Sequence, residues 1–486
     1  MNHNISNALM GLVSLSLISG CASVSPRKAV GQVESRVQER TGREVHWAQE
    51  KFESQAAEES IQKLLAQPLT ADGAAQIALL KNAGFQARLQ GLGLAQADLV
   101  RAGLLENPIF FAGVRFPAGG GQTNTEFSIT QNFLSVLTLL LEKRVAKGRL
   151  EQAQFDVSEA VLDLAAEVKE ATYALQSAEE MLEYLRTVTK AQEAAASLAE
   201  RQLEAGTINA LDLSRQQAAY HDAQVTLIRE ESEVAQARER LGLLMGLPTQ
   251  EKWEVAHRLP DLPSSDPSPG GLEELALSQR WDLMAARKEP EILAREQIIN
   301  RLSLFPTLRL GLDTDQESPE GTRLTGPALE ISLPVFDQRR ASGARITAQR
   351  RQSEYLVAAL EREIRSEVRM AQTQLVAARR AADEYRSRLL PLRQQIVGES
   401  LKRYNYMLLG VFQLLQTKQD EIETHSRYTG ALKDYWIAHA RLERAVGGHL
   451  PKPAESSTAP AAAPEPAKTM PTPTPPSHEP HHHGGQ

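Results

Sequence analysis

The sequence predicts a mainly α chain that also contributes to a membrane β-barrel, built from one strand-strand-long helical hairpin unit written twice. Three observations predict this. Segments of the first half recur in order in the second; the long helical stretches place apolar residues alternately three and four apart; and four segments of about ten residues alternate apolar with polar side chains. Aromatic content of 5% with abundant alanine suits long helices better than one large globular core. The formal net charge of -7 supplies no basic field for nucleic acid. After the N-terminal run, no segment approaches the roughly 18 consecutive apolar residues of a membrane helix, so any membrane crossing must use strands.

Residues 1–20 read as an export signal. Ala8 to Ile18 is apolar but too short to span a bilayer, although Met1 to Asn7 contains neither Lys nor Arg. The run ends in Ile18-Ser19-Gly20-Cys21, which resembles the lipobox of bacterial lipoproteins, where the cysteine thiol is acylated after cleavage. Cys21 is the only cysteine, so it has no partner for an internal disulfide. Ala at position 22, in place of the Asp that favours inner-membrane retention in such lipoproteins, permits sorting to the outer membrane. Residues 21–55 are the expected N-terminal lipidated segment.

The first repeat spans 56–246 and the second 272–448, with a Pro-, Ser- and Gly-rich linker at 247–271. "NPIFFAGVRF" (107–116) matches "LFPTLRLGLD" (304–313), and "TEFSITQNF" (125–133) matches "PALEISLPVF" (327–336). A helix from about Lys143 to Ala205 carries the seam Leu164, Val168, Ala171, Leu175, Ala178, Leu182 and Leu185. Its counterpart is expected to carry Ile364, Val368, Ala371, Leu375, Ala378, Ala382, Tyr385, Leu389, Leu392 and Ile396. Each rod ends near one glycine, Gly206 or Gly410, expected to supply the turn from which a second helix returns. The tail at 449–486 is too rich in Pro and too poor in large apolar residues to fold.

Within the strand segments, Phe127 and Ile129 fall opposite Ser128, Thr130 and Asn132, and Leu308, Leu310 and Leu312 fall opposite Arg309, Gly311 and Asp313. One face suits lipid and the other a wet lumen. Four strands cannot close a barrel, and hydrocarbon tolerates no open edge, so the chain must oligomerise.

In order and duplication these elements resemble the TolC family of outer membrane efflux proteins, over roughly residues 56 to 448; "EISLPVFD" (330–337) and the two tip segments are the best local marks. The resemblance implies a homotrimer whose 12-stranded β-barrel continues into a periplasmic α-helical barrel. It also implies a periplasmic adaptor and an inner-membrane pump as partners, with a resistance-nodulation-division pump expected, and a passive, gated outer-membrane duct that is not an enzyme. A rival reading is a non-pore, metal-binding or scaffolding coiled-coil lipoprotein of the periplasm.

No nucleotide loop, Ser-His-Asp set or paired-carboxylate site is found, and no catalytic residue or cofactor is expected. By the resemblance, the adaptor-docking tips are Gly206, Thr207, Ile208, Asn209 and Leu211, and Gly410, Val411, Phe412 and Leu414. Relatives can ring the entrance with acids six and nine positions after the second tip glycine. Here those positions hold Gln416 and Gln419, the first repeat holds Asp212 and Arg215, and Asp420 is adjacent; these five are the gate candidates. In the tail, His478, His481, His482 and His483 form an imidazole cluster suited to copper or zinc, which points to heavy-metal ions as substrates, with small organic compounds as the other class. His46, His221, His257, His425, His439 and His449 are scattered and read as surface or packing residues.

Overall fold

The computed structural model describes residues 25–47, 51–116, 118–120, 123–268, 270–305, 307–317, 322–451 and 484–485. Cys21 and the cluster His478, His481, His482 and His483 lie outside the described residues. The first half contains α1 (Pro26–Thr41), α2 (Lys51–Leu65), α3 (Ala71–Lys81), α4 (Ala83–Arg101), β1 (Ile109–Arg115), β2 (Asn124–Asn132), α5 (Phe133–Glu204) and α6 (Ala210–Met245). The second contains α7 (Leu272–Gln279), α8 (Trp281–Leu302), β3 (Leu308–Glu317), β4 (Thr322–Ile331), α9 (Arg340–Glu384), α10 (Leu390–Asn405) and α11 (Val411–Val446). No helix among the described residues is long and apolar enough to cross a membrane.

Helix α5 runs 72 residues without a break, about 110 Å at ~1.5 Å per residue. It begins ten residues before the expected start at Lys143, because the Asn132 side chain accepts from the Leu134 amide at 3.1 Å and caps the helix where β2 ends. Along its length α5 is the spine of a layer of helices. Helices α4, α5, α8 and α9 lie side by side in the half nearer the sheet, and α6, α5, α11 and α9–α10 in the other half. The shorter helices α3 and α7 cover this layer near its middle, α3 against α5 and α6 and α7 against α9 and α11.

The short rods of the two halves meet end to end. Helix α6 closes on Gly246 (φ 70°) and abuts the start of α4; α11 closes on Gly447 (φ 87°) and abuts the start of α8. A β-carbon at Gly246 would sit 2.7 Å from the Lys81 carbonyl oxygen, and one at Gly447 would sit 3.1 Å from the Arg280 side chain. Glycine is needed at both for the left-handed cap and for the close approach. The carbonyl end of one helix thus faces the amide end of the next, an alignment favoured by their dipoles.

The first heptad seam packs as expected, with Val168, Ala171, Leu175 and Leu182 buried. The second is buried from Ile364 to Ala382 and then fails: Leu389, Leu392 and Ile396 are exposed. A π-helical turn at Tyr385–Leu389 adds a residue to the repeat and rotates everything after it, so that Leu390 takes the buried position instead. Pro391, in the first turn of α10, brings no backbone N–H to the helix ladder there.

The four strands form one antiparallel sheet in the order β1-β2-β3-β4. The two repeats join where β2 pairs β3, with Ile129 opposite Leu312 and Thr130 opposite Gly311. Any side chain at position 311 would collide with the Ile129 carbonyl and Thr130.

Candidate functional site

The register sorts the sheet into two chemically distinct faces. Phe110, Ile129, Leu312 and Pro327 lie in line across all four strands, with Leu310 and Leu329 beside them, and Phe110 stacks on Phe127 at 6.3 Å. The opposite face carries Ser128, Asp313 and Asp315, with the ion pairs Arg115–Glu126 (2.7 Å) and Arg309–Glu330 (3.0 Å). Asp313 and Asp315 have no ion-pair partner among the described residues. The apolar residues are exposed although they form a continuous patch, which marks a surface that meets something other than water. Among the described residues, strands β1 and β4 are both free edges.

At the far end, both hairpins turn with one hydrogen-bond pattern. The amides of Gly206 and Thr207 donate to the Leu203 and Gln202 carbonyls, and those of Met407 and Leu408 donate to Tyr404 and Arg403, each at 2.9 Å. Gly206 therefore corresponds to Met407. The expected pairing of Gly206 with Gly410 is corrected here: Gly410 has φ -73° and caps the start of α11, as Asn209 caps α6. The left-handed residue of the second turn is Met407, at φ 59°. Sequence reading favoured the glycine because its propensity for that conformation is strong, and Met407 gives no such signal.

The correction moves the exposed tip. Tyr406, Met407 and Leu408 are 78%, 95% and 76% exposed, while Val411, Phe412 and Leu414 are half-buried on the first turn of α11. In the first hairpin, Gly206, Thr207, Asn209 and Leu211 are exposed and Ile208 is half-buried. The first tip is mostly polar and the second apolar.

The gate candidates separate into two groups. Asp212 and Arg215 lie in the first turns of α6, where the Asn209 side chain accepts from the Asp212 amide at 2.9 Å and Arg215 reaches Asp212 at 3.5 Å. Gln416, Gln419 and Asp420 form a network on α11. Gln192 of α5 donates to Gln419 at 2.7 Å, Gln416 donates to Asp420 at 3.0 Å, and Arg393 of α10 pairs with Asp420 at 3.2 Å. Gln416 and Gln419 also line a cleft of about 390 Å³ between α5, α6 and α11, together with Met181, Tyr184 and Val188. Burial, with Glu180 beside it, pushes the Tyr184 phenol up to about 12, so it stays neutral. Gln192 and Arg393 escaped sequence reading because their partners come from other helices.

Residues 116–247 match the sequence profile of the outer membrane efflux protein family, from the end of β1 to the residue after the Gly246 cap. Over this segment the chain resembles outer membrane efflux proteins. The second repeat lies outside the matched span, yet it reproduces the same sequence of turn, returning helix and left-handed glycine cap. The Campylobacter jejuni CmeC outer membrane channel superposes with a TM-score of 0.68 at 12% identity, over 84% of this chain and 89% of that one. The open Neisseria gonorrhoeae MtrE outer membrane channel gives 0.63 at 17%, over 79% and 91%. A Pseudomonas aeruginosa membrane protein gives 0.63 at 18%, over 78% and 93%. At these identities the likeness is one of fold. No curated protein sequence matches this chain.

The scattered histidines pack as ordinary side chains: His439 contacts Trp436 and Tyr435, and His449 bonds the Thr41 carbonyl at 2.9 Å. Among the described residues, no group of three or more His, Cys, Asp or Glu could hold a metal ion.

Proposed function

We propose that this protein is the outer-membrane duct of a tripartite efflux system, working as a homotrimer without catalysis. The observation that carries the reading is the open sheet: it has one continuous apolar face and two unpaired edges. Hydrocarbon excludes unpaired backbone, so β1 of one copy must meet β4 of the next. Three copies then close a twelve-stranded barrel, an even number as in other outer-membrane barrels, with Asp313, Asp315 and the two ion pairs facing its lumen. Helices α5, α6 and α9–α11 continue the wall into the periplasm, and both tips point toward an adaptor and an inner-membrane pump of the resistance-nodulation-division type. The pump supplies the energy; the duct gates and conducts.

Lipid anchoring at Cys21 fits this arrangement. Pro26, at the start of α1, lies against Gly93 of α4, and α4 leads up to β1. Cys21→Ser should abolish palmitate labelling.

The proposed cargo is heavy-metal ions or, as the other class, small organic compounds; the tail cluster alone favours the metals. Conductance of the purified protein in a planar bilayer, with a heat-resistant trimer on electrophoresis, tests the duct. A pure protein without conductance would favour the scaffold reading. Equal metal tolerance in cells with and without the protein would remove metals from the cargo while leaving the duct in place.

A further inference from the structure

Glu159 lies on α5 beside the junction where α11 stacks on α8. Its side chain is buried, and neither carboxylate oxygen has a hydrogen-bond partner among the described residues. An ionised carboxylate in such a place requires a partner. The groups facing it are Asp282 and Arg280 at the start of α8, Asp163 one turn along α5, Arg444 on α11 and Arg40 on α1. Asp156, also on α5, adds a second carboxylate near Asp282.

The three cations that face it, Arg280, Arg444 and Arg40, are already engaged, while Arg36, one turn before Arg40 on α1, lies 4.5 Å over the Phe155 ring with one buried guanidinium nitrogen that has no hydrogen-bond partner among the described residues. Arg280 holds Asp282 at 2.6 Å, the Glu367 carboxylate of α9 and the Ala445 carbonyl of α11. Arg444 holds Asp163 at 2.5 Å and Glu367 at 3.6 Å. Arg40 bonds the Gln279 carbonyl and lies 4.5 Å over the Trp281 ring. The Trp281 indole N–H, at the same junction, is also buried without a hydrogen-bond partner among the described residues. Glu159 and Asp156 are thus the acids of this cluster with no cation in contact among the described residues, and of the two only Glu159 is buried.

We propose that Glu159 is the proton-binding residue of a pH-sensitive joint between the two repeats. Protonated, it sits neutral among completed ion pairs. When the proton leaves to solvent, the new carboxylate competes with Asp282, Asp163 and Glu367 for Arg280 and Arg444, and the α11–α8 stack loosens. Burial, with the like charge of Asp282, pushes the Glu159 pKa up to about 7, against 4.5 for a free glutamate. A folded-state pKa above the unfolded one means that the folded chain binds the extra proton. Its stabilisation is complete below pH 4.5 and is lost as pH rises through 7.

The test is thermal unfolding of the full-length protein between pH 5 and pH 8, comparing wild type with Glu159→Gln, together with the infrared carbonyl stretch of protonated carboxyl groups. Wild type should melt several degrees lower at pH 8 than at pH 5. Glu159→Gln should flatten that slope and melt above wild type at pH 8, and the band titrating near pH 7 should vanish. Asp282→Asn should move the titration of that band to lower pH. The same slope in wild type and Glu159→Gln would overturn the proposal. If the variant does not fold, the wild-type spectrum decides: a carboxyl band lost near pH 7 supports the joint, and no such band at pH 6 refutes it.

Discussion

The Asn82 side-chain amide donates to the Leu244 carbonyl at 2.9 Å while its own oxygen accepts from the Phe85 amide, also at 2.9 Å. One residue therefore caps the start of α4 and ties it to the end of α6. At the corresponding place in the second repeat, Arg280 donates to the Ala445 carbonyl at 3.4 Å. Loss of an N-cap costs about 1 kcal/mol, and an unpaired, partly buried carbonyl costs about 1 more. Asn82→Ala should therefore destabilise the chain by about 2 kcal/mol in denaturant unfolding. A loss below about 0.5 kcal/mol would show that the junction does not depend on this bond.

The two hairpin turns should respond oppositely to exchange of their left-handed residues. An L side chain in that conformation costs roughly 1–2 kcal/mol, which Gly206 avoids and Met407 bears. Gly206→Ala should destabilise its tip by about 1 kcal/mol. Met407→Gly should stabilise the second tip, by a few tenths up to about 1 kcal/mol, because the glycine's extra unfolded-state entropy offsets part of the gain. Amide exchange at the two tips would report the two signs, and matching signs would contradict the turn assignment.

Docking should depend more on the second tip than on the first. Tyr406, Met407 and Leu408 present an apolar surface that only a partner can shield, while Thr207 and Asn209 are already solvated. Leu408→Asp should lose export and keep trimer and location, and Thr207→Asp should keep most export. Drug or metal susceptibility of cells carrying each variant would read the difference, and equal sensitivity at both tips would count against it.

On the polar face of the sheet, Asp313 and Asp315 have no ion-pair partner among the described residues. Three copies would line the proposed lumen with uncompensated negative charge, which attracts cations. The double variant Asp313→Asn, Asp315→Asn should shift the reversal potential in a salt gradient toward zero without changing trimer stability. An unchanged potential would place selectivity elsewhere, with the Asp420–Arg393 network as the next candidate.

Much of this architecture was written in local pattern. The alternation at Phe127–Asn132 and Leu308–Asp313 gave the sheet and its two faces, because strand side chains alternate strictly. Heptad spacing gave the first rod from Lys143 onward and the second as far as Ala382. What stayed hidden depends on contacts between distant segments or on a conformation its residue does not advertise. Met407 is left-handed because the turn requires it, and Gly410 drew attention by composition alone. The seam beyond Tyr385 kept its spacing on paper, while the π turn changed its direction in space. The Glu159 cluster gathers charges from α1, α5, α8 and α11, and no single stretch of sequence contains it.

The π turn has a mechanical consequence. A rod of uninterrupted i to i+4 bonds, such as α5, bends only gently along its length, whereas the run from α9 to α10 contains a turn of a different hydrogen-bond pattern next to a proline. The two hairpins are therefore unequal levers. In a ring of three such chains, stiff staves would alternate with pliant ones, and any widening of the far end would proceed by the pliant three swinging outward about Tyr385–Leu389 while the others hold the ring's diameter.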